Sequence, residues 1–316
     1  MTTIEILNQV LELIAALTAA PLFLGWVNQC RAWLQNRRAP SIWLPYRGIR
    51  KLFHKDAVIA DTASPLFRVA PYIVFGAMVV AAGIIPSMGT RLPFTIAADA
   101  IALVGLLATA RVFLSLAAMD IGTAFGTLGA RREMMVGFLA EPALLMVIFV
   151  ASMISATTAL PAITENLATQ TLGLYPSLAF TAVAFILVLL AENARIPIDN
   201  PATHLELTMI HEAMVLEYSA RHLALMEWAA ALKLFNYACI GFALFIPWGI
   251  STSESSPIAL LASIPLLGVK LVVTGAGLAL IETVSAKLRV FRAPEFLAVA
   301  FLLAVLGLLV HLLLGA

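Results

Sequence analysis

Long runs of apolar residues, separated by short polar segments, make up most of this 316-residue chain. A helix needs about 20 mainly apolar residues to cross the hydrocarbon core of a bilayer. Eight windows meet that requirement, roughly at residues 4–28, 69–88, 95–119, 135–156, 175–191, 231–250, 258–282 and 295–314. The pattern predicts an all-α, polytopic membrane bundle of about eight transmembrane helices, forming one integral membrane domain over residues 1–316.

The composition supports this interpretation. Hydrophobic residues make up 62% of the chain, charged residues 12%, and the mean hydropathy is +0.99. These values lie far outside those of soluble domains. The net charge of +1 says little about partners, and no nucleic-acid partner is expected. With only Cys30 and Cys239, well short of the about four ligands of a zinc or iron–sulfur site, the chain is not expected to bind a metal or other cofactor by itself.

The basic residues are distributed unevenly between the loops. Sixteen of the nineteen Lys and Arg residues fall in alternate loops, eight of them in residues 31–68. The positive-inside rule therefore predicts both termini on the outer, periplasmic side of a bacterial inner membrane and the large loops in the cytoplasm. Arg111 and Lys270 remain inside spans, where they should face protein or water because lipid exposure of a charge is costly.

Residues 31–68 form the first predicted cytoplasmic loop and contain an amphipathic helix. From Pro45 on, apolar residues recur at helical spacing and basic residues occupy the other side. One interpretation is an anchor for anionic lipid at the membrane interface. The other is a rim around a cavity mouth or docking site, formed by Arg37, Arg38, Pro40, Tyr46, Arg47 and Lys51.

Two pairs of ionisable residues lie within the predicted spans. Arg111 and Glu141 are both about 10–12 Å from the same membrane side, so they can pair, either as an ion pair that locks two helices or as part of a proton path. Pro142 predicts a kink beside Glu141. Glu12 and Lys270 also have comparable depths, but the sequence does not determine whether they meet.

Two connecting segments carry no predicted binding site. Residues 120–133, DIGTAFGTLGARRE, are interpreted as a short loop with three glycines. This segment lacks the lysine–serine ending of a phosphate-binding loop, so nucleotide binding is not expected. The outer loop at residues 157–174 is polar and has Glu165 as its one charge.

Residues 192–230 form an acidic loop that concentrates ionisable groups. Its part up to His222, residues 192–222, contains the acids Glu192, Asp199, Glu206, Glu212 and Glu217 and the histidines His204, His211 and His222. A chain so poor in charge has little reason to place these groups beside a membrane unless they act on ions or partners. The alternatives are a solvated acidic loop and packed or capped histidines. The zinc-protease pattern HExxH is absent, since Val215 replaces its second histidine.

A helix is expected to start at Asn200 and Pro201, which suit its first positions. One face would then hold Glu206, Ile210, Ala213 and Glu217, and another would hold His211, Tyr218 and His222. Glu217 would pair with Arg221 four residues later.

The same stretch resembles a known family. ENARIPID at residues 192–199 and EYS at 217–219 resemble the E-x-x-R-x-P-x-D and E-Y-S signature of the quinone-chamber subunit of respiratory complex I, the NADH-dehydrogenase subunit one family. The sequences at 132–146, 199–219 and 286–297 are closer to its counterpart in energy-converting nickel–iron hydrogenases of the formate hydrogenlyase type. The chain departs from the usual pattern at Ala39, Leu44, Gly48 and Ala220, the last of which replaces a glycine.

The resemblance implies a subunit bent around an acidic cavity that opens toward the cytoplasm. It would place Glu192, Arg195, Asp199, Glu206 and Glu217 on the cavity wall, with Glu141 continuing into the membrane. The candidate proton path also includes the other ionisable residues in or near the spans: Arg111, His211, Glu212, Lys270 and Glu282.

The leading hypothesis is a non-catalytic anchoring and coupling subunit of a complex I-like hydrogenase. Its expected partners are soluble iron–sulfur and hydrogenase-like large subunits on the cytoplasmic side, antiporter-like membrane subunits and lipid. Those partner subunits would carry the iron–sulfur clusters, with or without a nickel–iron centre. The alternatives are the equivalent subunit of a quinone-reducing or nickel-lacking complex, an autonomous ion transporter and a passive anchor.

Overall fold

The computed structural model describes residues 3–90, 99–169, 175–199, 209–251, 257–286, 288 and 292–314. Within these ranges the chain is almost entirely helical and contains isolated β-bridges but no strand. The helices described are α1 (Thr3–Leu34), α2 (Leu44–Phe53), α3 (Pro65–Ile84), α4 (Ala100–Asp120), α5 (Ala124–Ser155), α6 (Leu160–Thr169), α7 (Pro176–Glu192), α8 (His211–Val215), α9 (Ala220–Phe245), α10 (Pro257–Val284) and α11 (Ala293–Leu314).

The predicted all-α polytopic fold is confirmed. Among the described helices, seven are long and apolar enough to cross a membrane: α1, α3, α4, α5, α9, α10 and α11. α7 is an apolar helix of 17 residues. At 1.5 Å per residue it is about 25 Å long, slightly shorter than the bilayer core of about 30 Å. Counting α7 as a crossing gives eight spans.

Eight crossings bring both termini to one side of the bundle, which we call the termini face. The opposite side, called the basic face, holds α2, the turn between α4 and α5, residues 193–199 and 209–219, and the adjoining ends of α10 and α11. The assignment of the basic face to the cytoplasm remains a prediction.

The connection between α4 and α5 is shorter than the sequence predicted. Most of the segment 120–133, interpreted as a loop, is helical, because α5 begins at Ala124 with Thr123 as its N-cap. Gly122 makes the turn with a φ of 75°. Gly129 lies inside α5 and allows a close approach: a Cβ there would lie 2.8 Å from the carbonyl oxygen of Ile210. The glycines therefore indicated packing as well as turning.

The helix predicted to run from Asn200 through His222 is wrong over its described part. α8 covers only His211–Val215. Residues 216–219 are not helical and separate α8 from α9, which begins at Ala220. Tyr218 turns inward at this break, stacks on Phe67 with ring centroids 4.0 Å apart and donates a hydrogen bond to its carbonyl oxygen. His211, Tyr218 and His222 consequently do not share a helical face. The expected helix start at Asn200 lies outside the described residues.

Two shorter helices lie beside the spans. α2 is the predicted amphipathic helix, with Ile49 buried and the helix packed on α9 and α1. α6 lies in the segment 157–174, which was interpreted as a loop, and packs on α9 and α5 with Ile163 and Thr164 buried. α6 therefore buries one side of a segment whose polar composition had suggested a loop.

α7 ends inside the bundle, and this position creates the site. Its last residue, Glu192, is buried, and the irregular backbone that follows keeps Ile198 and Asp199 buried as well. α7 packs mainly on α11 and α5. Non-helical backbone at membrane depth is tolerated where it is enclosed by protein or lines a cavity. Residues 193–199 satisfy that condition.

Candidate functional site: a buried charge cluster and its cavity

Arg111 on α4 is the centre of a group of buried charges. Its guanidinium contacts three carboxylates: Nε lies 3.3 Å from Glu133, Nη1 lies 2.7 Å from Glu141, and Nη2 contacts Glu192. Glu133 and Glu141 are eight residues apart on α5, about two turns, so both lie on the side of α5 that faces α4. The prediction that Arg111 and Glu141 can pair is confirmed.

α5 accommodates the guanidinium because Gly137 lies midway between the two glutamates. A Cβ on Gly137 would meet Nη1 of Arg111 and would lie 2.8 Å from its Cδ. These distances are below normal van der Waals contact, so any side chain at this position displaces Arg111. Glycine is needed here for space, since its backbone is ordinary helix.

α9 supplies a second cation. Lys233 Nζ lies 3.0 Å from Glu192 Oε2, so Glu192 bridges Lys233 and Arg111. Tyr237, one turn further along α9, is fully buried and within hydrogen-bonding reach of Glu192. We call the set Arg111, Glu133, Glu141, Glu192 and Lys233 the Arg111 cluster.

The Arg111 cluster has more acids than bases. Three carboxylates and two cations give 2 − 3 = −1 when every group is ionised. In a weakly hydrated interior an unbalanced charge is costly, and binding of one proton removes the imbalance. The Glu141 side chain is 34% exposed, against 1% for Glu192 and 7% for Glu133, so Glu141 is the most accessible carboxyl of the cluster.

A second group of charges lies at the basic-face end of α10. Glu282, whose side chain is fully buried, lies 3.1 Å from Arg195 Nη1 and 3.6 Å from Arg31 Nη1. Burial lowers the pKa of Arg195, and the Glu282 carboxylate opposes that shift. The guanidinium stays charged, since an arginine in a protein does not lose its proton near neutral pH. This Glu282 group has a net charge of 2 − 1 = +1.

A cavity of about 290 Å³ separates the two groups, and we call it the central cavity. Its wall contains Glu192 and Lys233 from one group and all three members of the other, together with Asp199, His211 and Glu212. Residues 193–199 connect the two groups directly, because Arg195 follows Glu192 by three residues. A shift of this segment moves both groups at once.

A larger cavity of about 620 Å³, the side cavity, lies between α1, α2, α8 and α9. Its wall is mostly apolar and includes Leu44, Ile49 and Met226, with the polar groups His211, Glu212 and Glu227 on it. A third cavity of about 30 Å³, large enough for a water molecule, reaches Arg111 and Glu133. His211 is on the wall of all three cavities.

His211 is held in place by Asp199. One carboxylate oxygen of Asp199 accepts hydrogen bonds from the backbone N–H groups of Ile210 and His211, at 3.2 and 3.1 Å. Arg132 of α5 donates to the carbonyl oxygen of Met209, at 2.8 Å, and ties the same segment to the bundle. Burial lowers the pKa of His211, so its imidazole is neutral at pH 7.

No group of three or more His, Cys, Asp or Glu side chains in the described part of the chain is arranged to hold a metal ion. Glu133, Glu141, Glu192 and Glu282 instead contact cations, and Asp199 accepts hydrogen bonds from backbone N–H groups.

Comparison with known proteins identifies the family. The family model for NADH dehydrogenase matches residues 7–313, nearly the whole chain. The chain belongs to the NADH dehydrogenase family. This confirms the resemblance seen in residues 192–199 and 217–219.

Two relatives from Escherichia coli (strain K12) cover most of this family member. Hydrogenase-4 component C is 35% identical over 254 residues, which span 80% of this chain and 79% of the relative. Formate hydrogenlyase subunit 4 is 31% identical over 291 residues, which span 92% and 94% of the two chains. Both relatives are parts of hydrogenase-type complexes by name.

A solved structure shares the fold. A chain in the structure of the membrane-bound sulfane sulfur reductase (MBS), an archaeal respiratory membrane complex, superimposes with a TM-score of 0.81. It is 20% identical, and the match covers 96% of this chain and 99% of the other. This likeness shows the fold of the family member as a multi-pass membrane bundle.

The structure brings most of the predicted site residues together. Arg111, Glu141 and Glu192 are in the Arg111 cluster, Arg195 and Glu282 pair with each other, and the central cavity wall holds the rest: Asp199, His211 and Glu212. Glu206 and His204 lie outside the described residues.

Two predicted site residues lie elsewhere. Glu217 is exposed and is not on the central cavity wall, because the break at residues 216–219 turns Tyr218 inward in its place. The break also removes the helix on which Glu217 would pair with Arg221. Lys270 donates to the carbonyl oxygen of Ile246, 2.6 Å away, at the end of α9 on the termini face and thirteen residues after Lys233.

Glu133 and Lys233 belong to the site but were not predicted as site residues from the sequence. Lys233 is one of the sixteen basic residues counted as loop residues, although it falls at the start of the predicted span 231–250; it lies well inside α9, which starts eleven residues before that span. Glu133 was the last residue of the predicted loop 120–133, most of which belongs to α5 in the structure. Its spacing of eight residues from Glu141 was the available signal.

At the predicted cavity mouth, Arg37, Arg38, Arg47 and Lys51 are exposed and Pro40 is partly buried. Tyr46 donates a hydrogen bond to the carbonyl oxygen of Thr18 and contacts Trp43 with ring centroids 5.7 Å apart. α2 thus forms the outer wall of the side cavity and presents its basic side chains outward.

Proposed function

We propose that this chain is the membrane-anchoring and coupling subunit of a complex I-like hydrogenase complex of the formate hydrogenlyase type. Soluble subunits carry the redox chemistry, and this chain links their electron transfer to movement of protons, or of Na⁺, across the membrane. The chain itself is non-catalytic. The observation that supports this role most strongly is the Arg111 cluster, in which three carboxyls share two cations inside the bundle.

The cluster has two states that differ by one proton. In the ionised state it has an excess negative charge, and in the protonated state one carboxyl is neutral. We assign the exchange to Glu141, since its side chain is the most exposed of the three carboxyls. Glu133 and Glu192 hold Arg111 in place through both states.

Residues 193–199 transmit the effect of partner subunits to the cluster. A partner docked on the basic face changes its charge when it is reduced or oxidised. In a low-dielectric interior this change alters the electrostatic energy of buried charges several ångströms away. The Glu282 group lies on the basic-face side of the central cavity. The segment 193–199 links this group to the Arg111 cluster, because Arg195 is part of the segment and Glu192 immediately precedes it. Displacement of this segment shifts the affinity of the cluster for its proton.

The proposed partners follow from this arrangement. Soluble iron–sulfur and hydrogenase-like large subunits dock on the basic face, which faces the cytoplasm of a bacterial inner membrane. Antiporter-like membrane subunits pack beside the exposed faces of the spans. The partner subunits carry the iron–sulfur clusters, and the nickel–iron centre where one is present.

The test is to tag this chain, purify it in mild detergent, identify its partners and assay the complex for metals and hydrogen evolution. The proposal predicts co-purification of iron–sulfur and hydrogenase-like subunits, with nickel and hydrogen evolution in the hydrogenase form. Isolation of the chain alone, combined with ion flux in liposomes that contain only this chain, would contradict the proposal and favour an autonomous transporter.

One observation favours a second candidate, a quinone-reducing or nickel-lacking complex. The side cavity is large, mostly apolar and has His211 and Glu212 on its wall, which suits an amphiphilic ring compound. A related fold also occurs in a sulfane sulfur reductase complex. Iron–sulfur clusters without nickel, together with quinone extracted from the purified complex and inhibition by quinone-site compounds, would select this candidate.

A further inference from the structure

A buried carboxyl on the termini face has no part in the cluster described above. Glu12 of α1 is 1% exposed and accepts hydrogen bonds from the backbone N–H groups of Met88 and Gly89, at 2.9 and 2.7 Å. These two residues follow α3 on the termini face. An ionisable group within a membrane bundle is a functional candidate by default, since its burial is costly.

Only one oxygen of Glu12 is used by these bonds. Both N–H groups donate to Oε1, and within the described residues Oε2 is buried and has no hydrogen-bond partner. A structural clamp for the Met88–Gly89 segment needs only the first oxygen. The second oxygen is a place for a proton or for a bound water, because unpaired buried polar atoms are rare in native proteins.

A second unpaired polar atom lies on α9, between Lys233 of the Arg111 cluster and Cys239. Asn236 is fully buried, its Nδ2 donates to the carbonyl oxygen of Met78 at 2.9 Å, and its Oδ1 has no partner in the described part of the chain. Asn236 follows Lys233 by three residues, so it lies about 4.5 Å nearer the termini face along α9. It is therefore a neighbour of the cluster along the helix.

α9 continues this line of polar side chains toward Glu12. Cys239 lies three residues beyond Asn236, is buried, and is within electrostatic range of both Glu12 and Lys270. The Lys270 ammonium is held by the carbonyl oxygen of Ile246 and lies 5.7 Å from the centre of the Phe242 ring. Among the described residues, Cys239 on α9 is thus a titratable group near Glu12, and Lys270 on α10 is near Cys239. The Met88–Gly89 segment contributes backbone N–H groups.

We propose that Glu12 exchanges protons with the termini face and is the outer end of a route that runs from the Arg111 cluster past Asn236 and bound water. A proton leaving the cluster moves along water held by Asn236 Oδ1, binds Glu12 Oε2 and leaves on the termini face. No bond other than O–H is made or broken. The direction of transport rests on the proposed coupling function, but proton exchange at Glu12 does not.

The first test labels the carboxyl directly in the purified complex. Dicyclohexylcarbodiimide reacts with protonated carboxyls in apolar surroundings, and the modified peptide is located by mass spectrometry. We expect labelling of Glu12 that decreases as the pH is raised, whereas Glu295, an exposed acid on α11, stays unlabelled. Labelling of Glu141 without any labelling of Glu12 across the pH range would overturn the proposal.

The second test uses Glu12→Gln in the whole complex reconstituted in proteoliposomes. Glutamine keeps an oxygen for the two backbone N–H groups but carries no transferable proton. We expect normal assembly and at least a tenfold loss of proton release on the termini face. The matched control is Gln9→Met, at a residue one turn from Glu12 on α1. This variant loses the hydrogen bond from Gln9 to the Gly83 carbonyl oxygen but should keep proton release.

The two tests separate this inference from the proposed function. If the wild-type complex does not translocate protons but Glu12 is labelled, the coupling function fails and proton exchange at Glu12 stands. If the wild type translocates protons and Glu12→Gln does so equally well, Glu12 is only a clamp for the Met88–Gly89 segment and the inference fails.

Discussion

The two faces of the bundle hold their buried charges in different ways. On the basic face, Arg111 and Glu192 are paired with other ionised side chains. On the termini face, Glu12 is bonded to backbone N–H groups and Lys270 to a backbone carbonyl oxygen. Side-chain pairs have alternative partners within reach, whereas backbone groups are fixed. The basic face is thus suited to rearrangement, and the termini face to holding a proton at one position.

The largest effect is expected from Arg111→Met, which would leave three carboxylates facing Lys233 alone. Removing one partner of a buried ion pair costs about 3–5 kcal/mol, so this variant should fail to accumulate in the membrane. Membrane yield and thermal unfolding of the purified complex measure the effect. Lys270→Met should accumulate normally, since it leaves only a backbone carbonyl oxygen unpaired, and equal loss in the two variants would contradict the difference between the faces.

A smaller effect is expected from Gly137→Ala. The added methyl group would displace the guanidinium of Arg111, and overpacking of this kind costs about 1–3 kcal/mol. We expect lower thermal stability together with weakened proton translocation. Gly105→Ala on α4 is the matched control, because a Cβ there meets nothing within 4 Å; a similar loss in the control would show that the effect is not specific to Arg111.

The pH dependence of stability should show the contribution of His211 to the free energy of unfolding. Burial lowers its pKa below 6.5 in the folded chain, so below pH 6.5 the unfolded chain binds more protons than the folded one. Stability is therefore lost as the pH falls through the unfolded value, by at most about 1.4 kcal/mol per pH unit for one group. Thermal unfolding of wild type and His211→Gln between pH 5 and 8 checks this; parallel curves would exclude His211 as the cause.

The smallest effect is expected from Ala220→Gly. Ala220 has a φ of 47°, in the left-handed region where a Cβ costs about 1 kcal/mol. Glycine should therefore raise the stability of the purified complex by up to that amount, seen as an increase in Tm. Ala224→Gly, in regular helix on α9, should lower stability by about the same amount, and a decrease in both variants would contradict the strain at Ala220.

The helical fold and the Arg111–Glu141 pair were predictable because both depend on spacing along single helices. Apolar runs defined the spans, and equal depth brought the two residues within reach. The boundaries near Ala124 and Ala220 were not predictable, since glycines and charges that usually mark loops here serve close packing and buried pairing. For that reason Glu133 and Lys233 were assigned to loops, and the hydrogen bonds of Glu12 to Met88 and Gly89 depend on contacts 76 and 77 residues apart.

The measurement that tests the central claim most directly is the number of protons translocated per electron pair in proteoliposomes containing the complex with Glu141→Gln. Glutamine keeps the oxygen that accepts the hydrogen bond from Arg111 Nη1. It also brings the net charge of the Arg111 cluster to zero, so the cluster no longer binds a proton to balance its charge. The account predicts an assembled complex with redox turnover but almost no proton translocation, while Glu295→Gln behaves as wild type. Normal translocation by Glu141→Gln would contradict the account.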